Sequence, residues 1–353
     1  MKLEAISILS VVLLAGAAQA ESIATPMVER LAADRVAVTW SDRDPVDVFL
    51  ADRPDTNVKT ARLVSGRDAD GRYEMTVPAG RPYFLLRDAK TGEVVRVAER
   101  LMPLEHGSNF RDVGGYPAAG GKHVRWGLIY RSGGQPLLTE ADVKAVQALG
   151  VVDLVDLRSS EERVIAPTKL NGIRYSAVGY SLTSLLPQTN GQQSLPQNGG
   201  AVYRAMPTLL APQLRILFAD LLANKGPVVY NCSAGQDRTG FATAMVLTAL
   251  GVPRDVIIAD YHLSTTYRRP ENEMPKIDAA TAAANPIAKF FAQYQTDPRA
   301  AQPQPLKDPD GKAFLSYAFE EVEARYGSVD GYLEKEVGVS KLDLVRLRAA
   351  YLE

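Results

Sequence analysis

The sequence has few of the residues that build disulfide scaffolds or metal sites. Its 353 residues include one cysteine, Cys232, and three histidines, none of which clusters with that cysteine. A lone thiol cannot form an internal disulfide, and a structural zinc site needs more cysteine or histidine ligands than are grouped here. We therefore expect neither a disulfide scaffold nor a metal centre.

The sequence also lacks an excess of positive charge. Lysine and arginine number 40, aspartate and glutamate number 41, and the net charge is −1. Proteins that bind nucleic acid or anionic lipid usually carry a basic excess, so we expect neither as a partner. What is present is an ordinary globular composition, 46% hydrophobic and 23% charged, in a chain long enough for two domains.

Residues 1–20 have the pattern of a targeting segment. Lys2 is followed by an apolar run over residues 5–16 and then by AQA at 18–20, the small-x-small sequence that signal peptidase accepts. The run is too short to span a bilayer comfortably, so stable membrane insertion is not expected; the alternatives are a membrane anchor or a buried helix. We predict a signal peptide and an exported protein, periplasmic or secreted. A free thiol in such an oxidising compartment must serve a purpose.

Residues 21–104 have the alternation of β-strands. Apolar residues recur at every second position, as in Val36 and Val38, and turn sequences such as Asp70-Gly71 separate the runs. We count five to seven short strands and predict a small all-β sandwich domain of fibronectin or immunoglobulin type. This region contains no cluster of catalytic residue types, so its expected role is structural or the binding of a protein partner.

From residue 105 onward, buried strands alternate with helices. The apolar runs VVDLVDLR, at 151–158, and VVYN, at 228–231, are typical of strands buried on both faces. Helical spacing follows Thr139 and Ser340, each with an aspartate three residues later that resembles a capping box. This order predicts an α/β domain over 105–353, with a mostly parallel central sheet flanked by helices.

The segment VVYNCSAGQDRTG, residues 228–240, is the one that carries chemistry. A buried strand delivers Cys232 to a short loop, Arg238 lies six residues later, and a helix is expected to start at about Thr239. The loop amides and the positive end of the helix dipole form an anion cradle, and the same field favours a thiolate over a thiol. Arg238 can hold two oxygens of a phosphoryl group through its planar fork. The residues expected to bind phosphate are Ser233, Ala234, Gly235, Gln236 and Thr239.

This arrangement predicts nucleophilic catalysis on phosphate esters. Thiolate attack by Cys232 gives a cysteinyl-phosphate, an acid protonates the leaving alcohol, and water hydrolyses the intermediate. No metal or other cofactor is required, because the loop amides and Arg238 neutralise the phosphate charge. Gly235 is expected to let the backbone pass close to the ligand, and the Thr239 hydroxyl to hydrogen-bond the sulfur. The alternative is a buried, inert cysteine.

The segment CSAGQDRTG resembles the signature of the cysteine-dependent protein tyrosine phosphatase superfamily. It is most similar to the bacterial tyrosine/dual-specificity branch, whose loop reads HCxxGKDRTG. Other segments resemble that branch as well: NFRDVGGY at 109–116, LIYRSGG at 128–134, VVDLVDLRSSEE at 151–162 and the helical ending at 326–352. The resemblance runs from about residue 105 to the C-terminus. It implies a phosphatase acting on phosphotyrosine, with dual specificity as an option, in phosphorylated proteins or small phosphate esters.

Two residues depart from the pattern of that branch. Asn231 stands where the branch has histidine, and Gln236 stands where it has lysine. The loss of both removes positive charge near the thiolate, so activity on highly charged phosphoinositides is less expected. Asn231 can still donate hydrogen bonds, and the shape of the loop is expected to persist.

The general acid has two candidates. Asp237 lies in the loop, and the Asp-Arg pair of the branch implies that it acts as the acid or orients the substrate. Asp156 is the rival, at the carboxyl end of a buried strand where active sites of open α/β sheets lie. We favour Asp237, with a structural hydrogen bond as the alternative for either aspartate. The residues expected to support the site rather than react are Asn109, Arg111, Asp112 and Arg158.

Two other functions use the same cysteine or the same loop. Rhodanese-like sulfur chemistry or arsenate reduction would also employ a reactive cysteine, but the loop size argues against the first and the lack of resolving cysteines against the second. A catalytically weak phosphate-binding or phosphoprotein-binding module would need only the cradle. The presence of cysteine, aspartate and arginine together favours the enzyme.

Overall fold

The computed structural model describes residues 23–77, 80–181, 188–189, 192–193, 199–298, 302 and 304–353. The predicted signal peptide, residues 1–20, therefore lies outside the described residues. So does most of a polar stretch at 183–200, rich in glutamine and asparagine, which the sequence predicts as a loop.

The N-terminal part contains seven strands in two antiparallel sheets. One sheet has the order β1-β2-β5 and the other β4-β3-β6-β7. Val36 and Val38 of the first sheet and Val48 and Phe84 of the second belong to one buried apolar cluster, so the two sheets pack against each other. The strands are β1 (Ala24–Ala32), β2 (Arg35–Ser41), β3 (Val46–Ala51), β4 (Arg62–Asp68), β5 (Arg72–Thr76), β6 (Tyr83–Asp88) and β7 (Val94–Ala98). The assignment of 21–104 to a separate sandwich domain stays a prediction.

The second part is built on a five-stranded sheet of order β13-β12-β16-β11-β8. Four of its strands are parallel, and only the edge strand β8 runs antiparallel, to β11. The mostly parallel sheet predicted from the sequence is therefore present. Its strands are β8 (Arg111–Asp112), β11 (Ile129–Ser132), β12 (Asp153–Asp156), β13 (Arg174–Ala177) and β16 (Val228–Asn231). Two-residue strands pair beside it: β9 (Pro117–Ala118) with β10 (Lys122–His123), and β14 (Gln188–Thr189) with β15 (Gln192–Gln193).

Helices pack against this sheet, and the most central of them, α5, follows β16 directly. Ten of the thirteen α5 residues are buried, which explains why its sequence is apolar almost all round. The helices are α1 (Glu140–Ala148), α2 (Ser160–Ile165), α3 (Gly199–Leu209), α4 (Ala211–Ala223), α5 (Asp237–Ala249), α6 (Arg254–Tyr267), α7 (Ala279–Ala284), α8 (Pro286–Thr296), α9 (Phe314–Tyr326), α10 (Val329–Tyr332) and α11 (Lys341–Tyr351). Within the described ranges no single helix is long and apolar enough to cross a membrane, although the bent pair α3 and α4 meets that criterion of length and composition jointly.

Helix ends follow the local signals of the sequence. Thr139 and Ser340 both form the predicted capping boxes, with Asp142 and Asp343 respectively. The structure starts α5 at Asp237, two residues earlier than predicted, so the acidic residue lies in the first helical turn. A carboxylate is favourable at that position because the helix dipole is positive there.

The two parts of the chain share buried contacts. Arg81, which precedes β6, forms an ion pair of 2.8 Å with Asp112 of β8, and the two side chains are 5% and 0% exposed. Trp126, which lies between β10 and β11, packs into the apolar cluster of the N-terminal sheets and donates from its indole nitrogen to the Arg96 carbonyl at 3.1 Å. The N-terminal sheets are therefore joined to the central sheet by buried groups.

We expect Arg81→Met to destabilise the protein strongly, because it leaves the buried Asp112 carboxylate without its cation. Breaking a buried pair from one side costs about 3 kcal/mol or more. The matched control is Arg87→Met, since the Arg87 side chain is 43% exposed and pairs with Asp47 within the N-terminal sheets; that change should cost about 1 kcal/mol or less. Urea unfolding measures both, and equal losses would contradict a special role for the Arg81–Asp112 pair.

Candidate active site

Strand β16 places the only cysteine at the centre of the carboxyl edge of the sheet. All four β16 residues are buried, and Asn231 at its end lies opposite Ser132 of β11 and Asp156 of β12. Cys232 follows at once and is 2% exposed. This edge is where open α/β sheets bind ligands, because the loops after neighbouring strands converge there.

Three successive carbonyl groups of the loop after Cys232 are held on one side by donors from elsewhere. Asn109 Nδ2 donates to the carbonyls of Ala234 (3.3 Å) and Gly235 (2.8 Å), and Arg131 Nη2 donates to Gly235 at 2.8 Å. The Ser233 carbonyl accepts from a backbone N–H at 2.7 Å. In a trans peptide the N–H points opposite to the carbonyl, so the next amides face the inner side of the loop. This arrangement fits the cradle for an anion that the sequence predicts, and the binding of an anion there stays a prediction.

Gly235 is required by the packing of the loop against a neighbouring strand. Its φ is +64°, a conformation that glycine adopts without steric strain. An added Cβ would lie 2.5 Å from the Gly133 nitrogen and 2.5 Å from the Ser132 carbonyl carbon. Gly235 therefore lies close against the end of β11, and this packing excludes a side chain. Its close approach to a ligand stays a prediction.

Arg238 is fixed by a carboxylate and a phenol. Its Nη1 and Nη2 atoms donate to the two carboxylate oxygens of Glu162, each at 2.7 Å, and Nη1 also donates to the Tyr180 hydroxyl at 2.7 Å. A guanidinium has five N–H donors in a rigid plane. Three are used here, and the edge formed by Nε and the second Nη2 proton carries no hydrogen bond to any described residue. That edge has the geometry for two parallel bonds to phosphate oxygens.

Glu162 was not among the residues predicted from the sequence, although it holds Arg238 in place. Its carboxylate also accepts from the Ser233 hydroxyl at 2.6 Å and from the Ser159 amide at 2.9 Å. Burial by itself raises the pKa of Glu162, but the adjacent Arg238 guanidinium and these hydrogen bonds outweigh it and lower the pKa to about 2. The sequence pattern that could have indicated Glu162 is the Ser-x-x-Glu capping box at 159–162, which starts α2 shortly after a buried strand.

Asp156 is fully engaged inside the protein. It is 0% exposed and accepts from the Arg158 guanidinium at both oxygens, at 2.9 Å and 2.6 Å. The Tyr175 hydroxyl (2.9 Å) and the Arg158 amide (3.0 Å) occupy the remaining acceptor positions. Arg158, expected from the sequence to support the site, thus forms an ion pair with Asp156. The contacts of Asp156 fit the structural hydrogen bond that was the alternative to its role as the acid.

Asp237 has a different environment at the start of α5. It is half-buried, and its Oδ1 accepts a hydrogen bond from the Tyr203 hydroxyl of α3 and another from Gln236 Nε2 at 3.2 Å. No described residue donates to its Oδ2 atom. Asp237 thus keeps one carboxylate oxygen for a reacting group, which Asp156 does not.

The predicted supporting residues divide into two groups. Asn109 adopts a left-handed φ of 55° that turns its amide toward the loop, and Arg111 Nη1 donates to the Asn109 side-chain oxygen. Arg111 is held in turn by Asp260. Asp112 does not contact the loop; besides Arg81 it accepts from two backbone amides of neighbouring turns, each at 2.7 Å. It supports the attachment of the N-terminal sheets rather than the cradle.

Asn231 and Thr239 flank the cradle, and Thr239 does not make its predicted contact. The Thr239 hydroxyl is buried and has no hydrogen-bond partner among the described residues, so the predicted bond to the Cys232 sulfur is not formed. Asn231, in place of histidine, donates to the Cys232 carbonyl at 3.2 Å. The end of β16 therefore keeps a local donor at this position.

Comparison with known proteins agrees with this geometry. A family model described as the tyrosine phosphatase family matches residues 102–353. The chain belongs to the tyrosine phosphatase family. The matched region of this phosphatase contains the loop, the NFRDVGGY segment and the C-terminal helices, and leaves out the N-terminal sheets. Membership confirms the α/β phosphatase fold and a phosphoric monoester hydrolase.

Individual relatives of the phosphatase are bacterial. A Cupriavidus necator protein named as a tyrosine-protein phosphatase is 31% identical over 261 residues, which cover 69% of this chain and 86% of that protein. The triple specificity protein phosphatase PtpB of Mycobacterium tuberculosis is 29% identical, over 69% of this chain and 96% of its own length. A tyrosine-protein phosphatase of Nostoc commune is 28% identical, over 60% of this chain and 69% of its own.

The lowered pKa of Glu162 predicts how the stability of the phosphatase depends on pH. A carboxyl group whose pKa is lower in the folded state stabilises the protein above its ordinary pKa of 4.5, and that stability is lost as the pH falls toward about 2. We expect Glu162→Gln to lower the free energy of unfolding at pH 7 by about 2 kcal/mol or more, because Arg238 loses its counter-ion. The same change should flatten the pH dependence between about 4.5 and 2.

Urea unfolding at a series of pH values measures both effects. Glu334→Gln is the matched control, since Glu334 is exposed. Its pH dependence should follow that of the unmodified protein. If Glu162→Gln left the pH dependence of the free energy of unfolding unchanged between about 4.5 and 2, the ion pair with Arg238 would not contribute to stability.

Proposed function

We propose that the protein is an exported phosphatase that hydrolyses phosphotyrosine through a cysteinyl-phosphate at Cys232. The observation that carries this proposal is the inward-facing cradle next to Cys232, closed by the unused edge of Arg238. In the first step the Cys232 thiolate attacks phosphorus, the ester P–O bond breaks, and the alcohol leaves with a proton from Asp237. In the second step water attacks phosphorus, gives its proton to the Asp237 carboxylate and releases phosphate, which regenerates the thiolate.

The charge of the transferring phosphoryl group is met by fixed donors. The loop amides of residues 234–236 and the Nε/Nη2 edge of Arg238 are already oriented, because Asn109, Arg131 and Glu162 hold their reverse sides. Such preorganised donors lower the barrier without reorganisation during the reaction. Neither step needs a metal ion to balance its charges or its protons.

The assignment of the acid rests on the difference between two carboxylates. Asp156 has donors on both oxygens, among them the Arg158 guanidinium, and a carboxylate so engaged has no position for a transferable proton. Among the residues that the structure describes, donors reach only one oxygen of Asp237. We therefore propose that Asp237 is the general acid of the first step and the general base of the second.

The substrate class follows from the relatives and from the charge of the loop. The names of the relatives support phosphotyrosine, and the triple specificity of the Mycobacterium tuberculosis protein supports more than one phosphoresidue. Asn231 and Gln236 bring no charge to the cradle. We therefore propose phosphorylated proteins or small phosphate monoesters as substrates, with highly charged phosphoinositides disfavoured.

The N-terminal regions have proposed roles that depend on the sequence pattern and on buried contacts. Residues 1–20 have the pattern of a signal peptide, so we propose export to the periplasm or the medium. We propose that 21–104 is a sandwich domain docked on the catalytic domain, 105–353, through Arg81 and Trp126. Its outer faces are then available to a protein partner.

We expect the mature protein to hydrolyse p-nitrophenyl phosphate and a phosphotyrosine peptide under reducing conditions in EDTA. Cys232→Ser should abolish turnover while retaining binding of vanadate, because the cradle does not need the sulfur. Asp237→Asn should lower kcat/KM, which reports the step that forms the cysteinyl-phosphate, by about a hundredfold on phenyl phosphate, whose leaving group needs a proton, and much less on p-nitrophenyl phosphate. A steady-state assay with release of phosphate measures all three.

Three results would contradict the proposal. Turnover by Cys232→Ser would exclude the cysteinyl-phosphate, and loss of activity in EDTA would indicate a required metal. A protein that binds vanadate but turns over neither substrate would favour the phosphate-binding module instead.

A further inference from the structure

The Asp237 carboxyl group is held at one oxygen by two side-chain donors, and neither of these side chains has a role in the proposed function. Tyr203 donates its hydroxyl proton to Oδ1, and Gln236 Nε2 donates to the same atom at 3.2 Å. Tyr203 comes from α3, 34 residues before Asp237 in the sequence. The two donors approach from different elements, so the plane of the carboxyl group is fixed.

Tyr203 is itself buried and held by contacts on two sides. It is 3% exposed, its ring lies 6.0 Å from that of Phe314 in a stacked arrangement, and its hydroxyl lies 2.5 Å from the Tyr261 hydroxyl. Because the single proton of Tyr203 goes to Asp237, Tyr261 must donate to Tyr203, and the two bonds strengthen each other. Burial is the main cause that raises the pKa of Tyr203 well above its ordinary value, and the negative charge of Asp237 is the second. The hydroxyl therefore keeps its proton and remains a donor.

Gln236 is oriented by a cation on its other side. Its side-chain oxygen accepts from Arg268 Nη1 at 3.1 Å, and Arg268 is paired with both oxygens of Glu273 at 2.9 Å and 2.8 Å. An arginine can only donate, so the oxygen of the Gln236 amide faces Arg268 and its NH₂ group faces Asp237. A lysine at position 236 could not form this relay, because it accepts no hydrogen bond.

These contacts determine which oxygen of the acid carries the proton. In a protonated carboxyl group the carbonyl oxygen is the better acceptor, and the hydroxyl oxygen is the poorer one. We propose that Tyr203 and Gln236 are positioning residues of the acid step, which hold Oδ1 of Asp237 as the acceptor and leave the transferable proton on Oδ2. This inference rests on the proposed role of Asp237 as the general acid.

Tyr203→Phe tests the proposal because it removes one oxygen atom and retains the ring. We expect kcat/KM, which reports the step that forms the cysteinyl-phosphate, to fall about tenfold on phenyl phosphate. On p-nitrophenyl phosphate it should fall less than about twofold, since a good leaving group needs little acid help.

Tyr332→Phe is the matched control. The Tyr332 hydroxyl is also buried and also contacts α3, where it donates to the Pro207 carbonyl at 2.7 Å. Its removal should disturb the packing of α3 without any dependence on the leaving group. The ratio of kcat/KM on phenyl phosphate to kcat/KM on p-nitrophenyl phosphate is compared among the three proteins. The same ratio in Tyr203→Phe, Tyr332→Phe and the unmodified protein would overturn the proposal.

Gln236→Leu keeps the test decisive if Tyr203→Phe fails to fold, because Gln236 lies half-buried in the loop. Gln236→Leu should lower kcat/KM on phenyl phosphate relative to kcat/KM on p-nitrophenyl phosphate, as Tyr203→Phe does. An unchanged ratio of the two values would overturn the proposal. Asp237→Asn in the same assay separates the two levels of inference. If it lowers turnover of phenyl phosphate selectively while both donor variants do not, the acid stands and its positioning is wrong. If it has no selective effect, both fail.

Discussion

The anchoring of the loop carbonyls at residues 233–235 is the constraint on which the rest of the site depends. An anion can be bound by backbone amides only if the carbonyls on the reverse side have donors inside the protein. Here Asn109 and Arg131 supply them, from segments more than a hundred residues earlier in the chain. Polar residues before β8 and within β11 therefore supply the hydrogen bonds that the carbonyls of a loop much later in the sequence require.

Anchoring the loop carbonyls in this way places charged side chains in the core, where each charge needs an opposite charge beside it. Arg111 and Arg131 are both 0% exposed, and both are paired with Asp260 of α6. Burial by itself raises the pKa of Asp260, but the two guanidinium groups outweigh it and hold the pKa well below its ordinary value. Each member needs the others, because one unpaired charge in such a cluster is strongly destabilising. The rigidity of the cradle and the stability of the fold therefore have the same origin.

The sequence predicted the elements whose signals are local. The strand at 228–231, the turn with Cys232, the helix after it and the capping boxes at Thr139 and Ser340 depend on residues close together in the chain. The pairing of Arg238 with Glu162 and of Asp237 with Tyr203 joins residues 76 and 34 positions apart, and no periodicity reports such contacts. The close packing of Gly235 on β11 was missed for the same reason, since it is set by how neighbouring strands end.

The position of Trp126 in the apolar cluster of the N-terminal sheets has a consequence for how the chain folds. A protein is synthesised from its N-terminus, so the seven strands emerge before this indole does. They cannot complete their core until the chain has passed residue 126, by which point the NFRDVGGY segment has also emerged. The two parts are thus bound to acquire their final structure together, and heating should melt them in one cooperative transition rather than two.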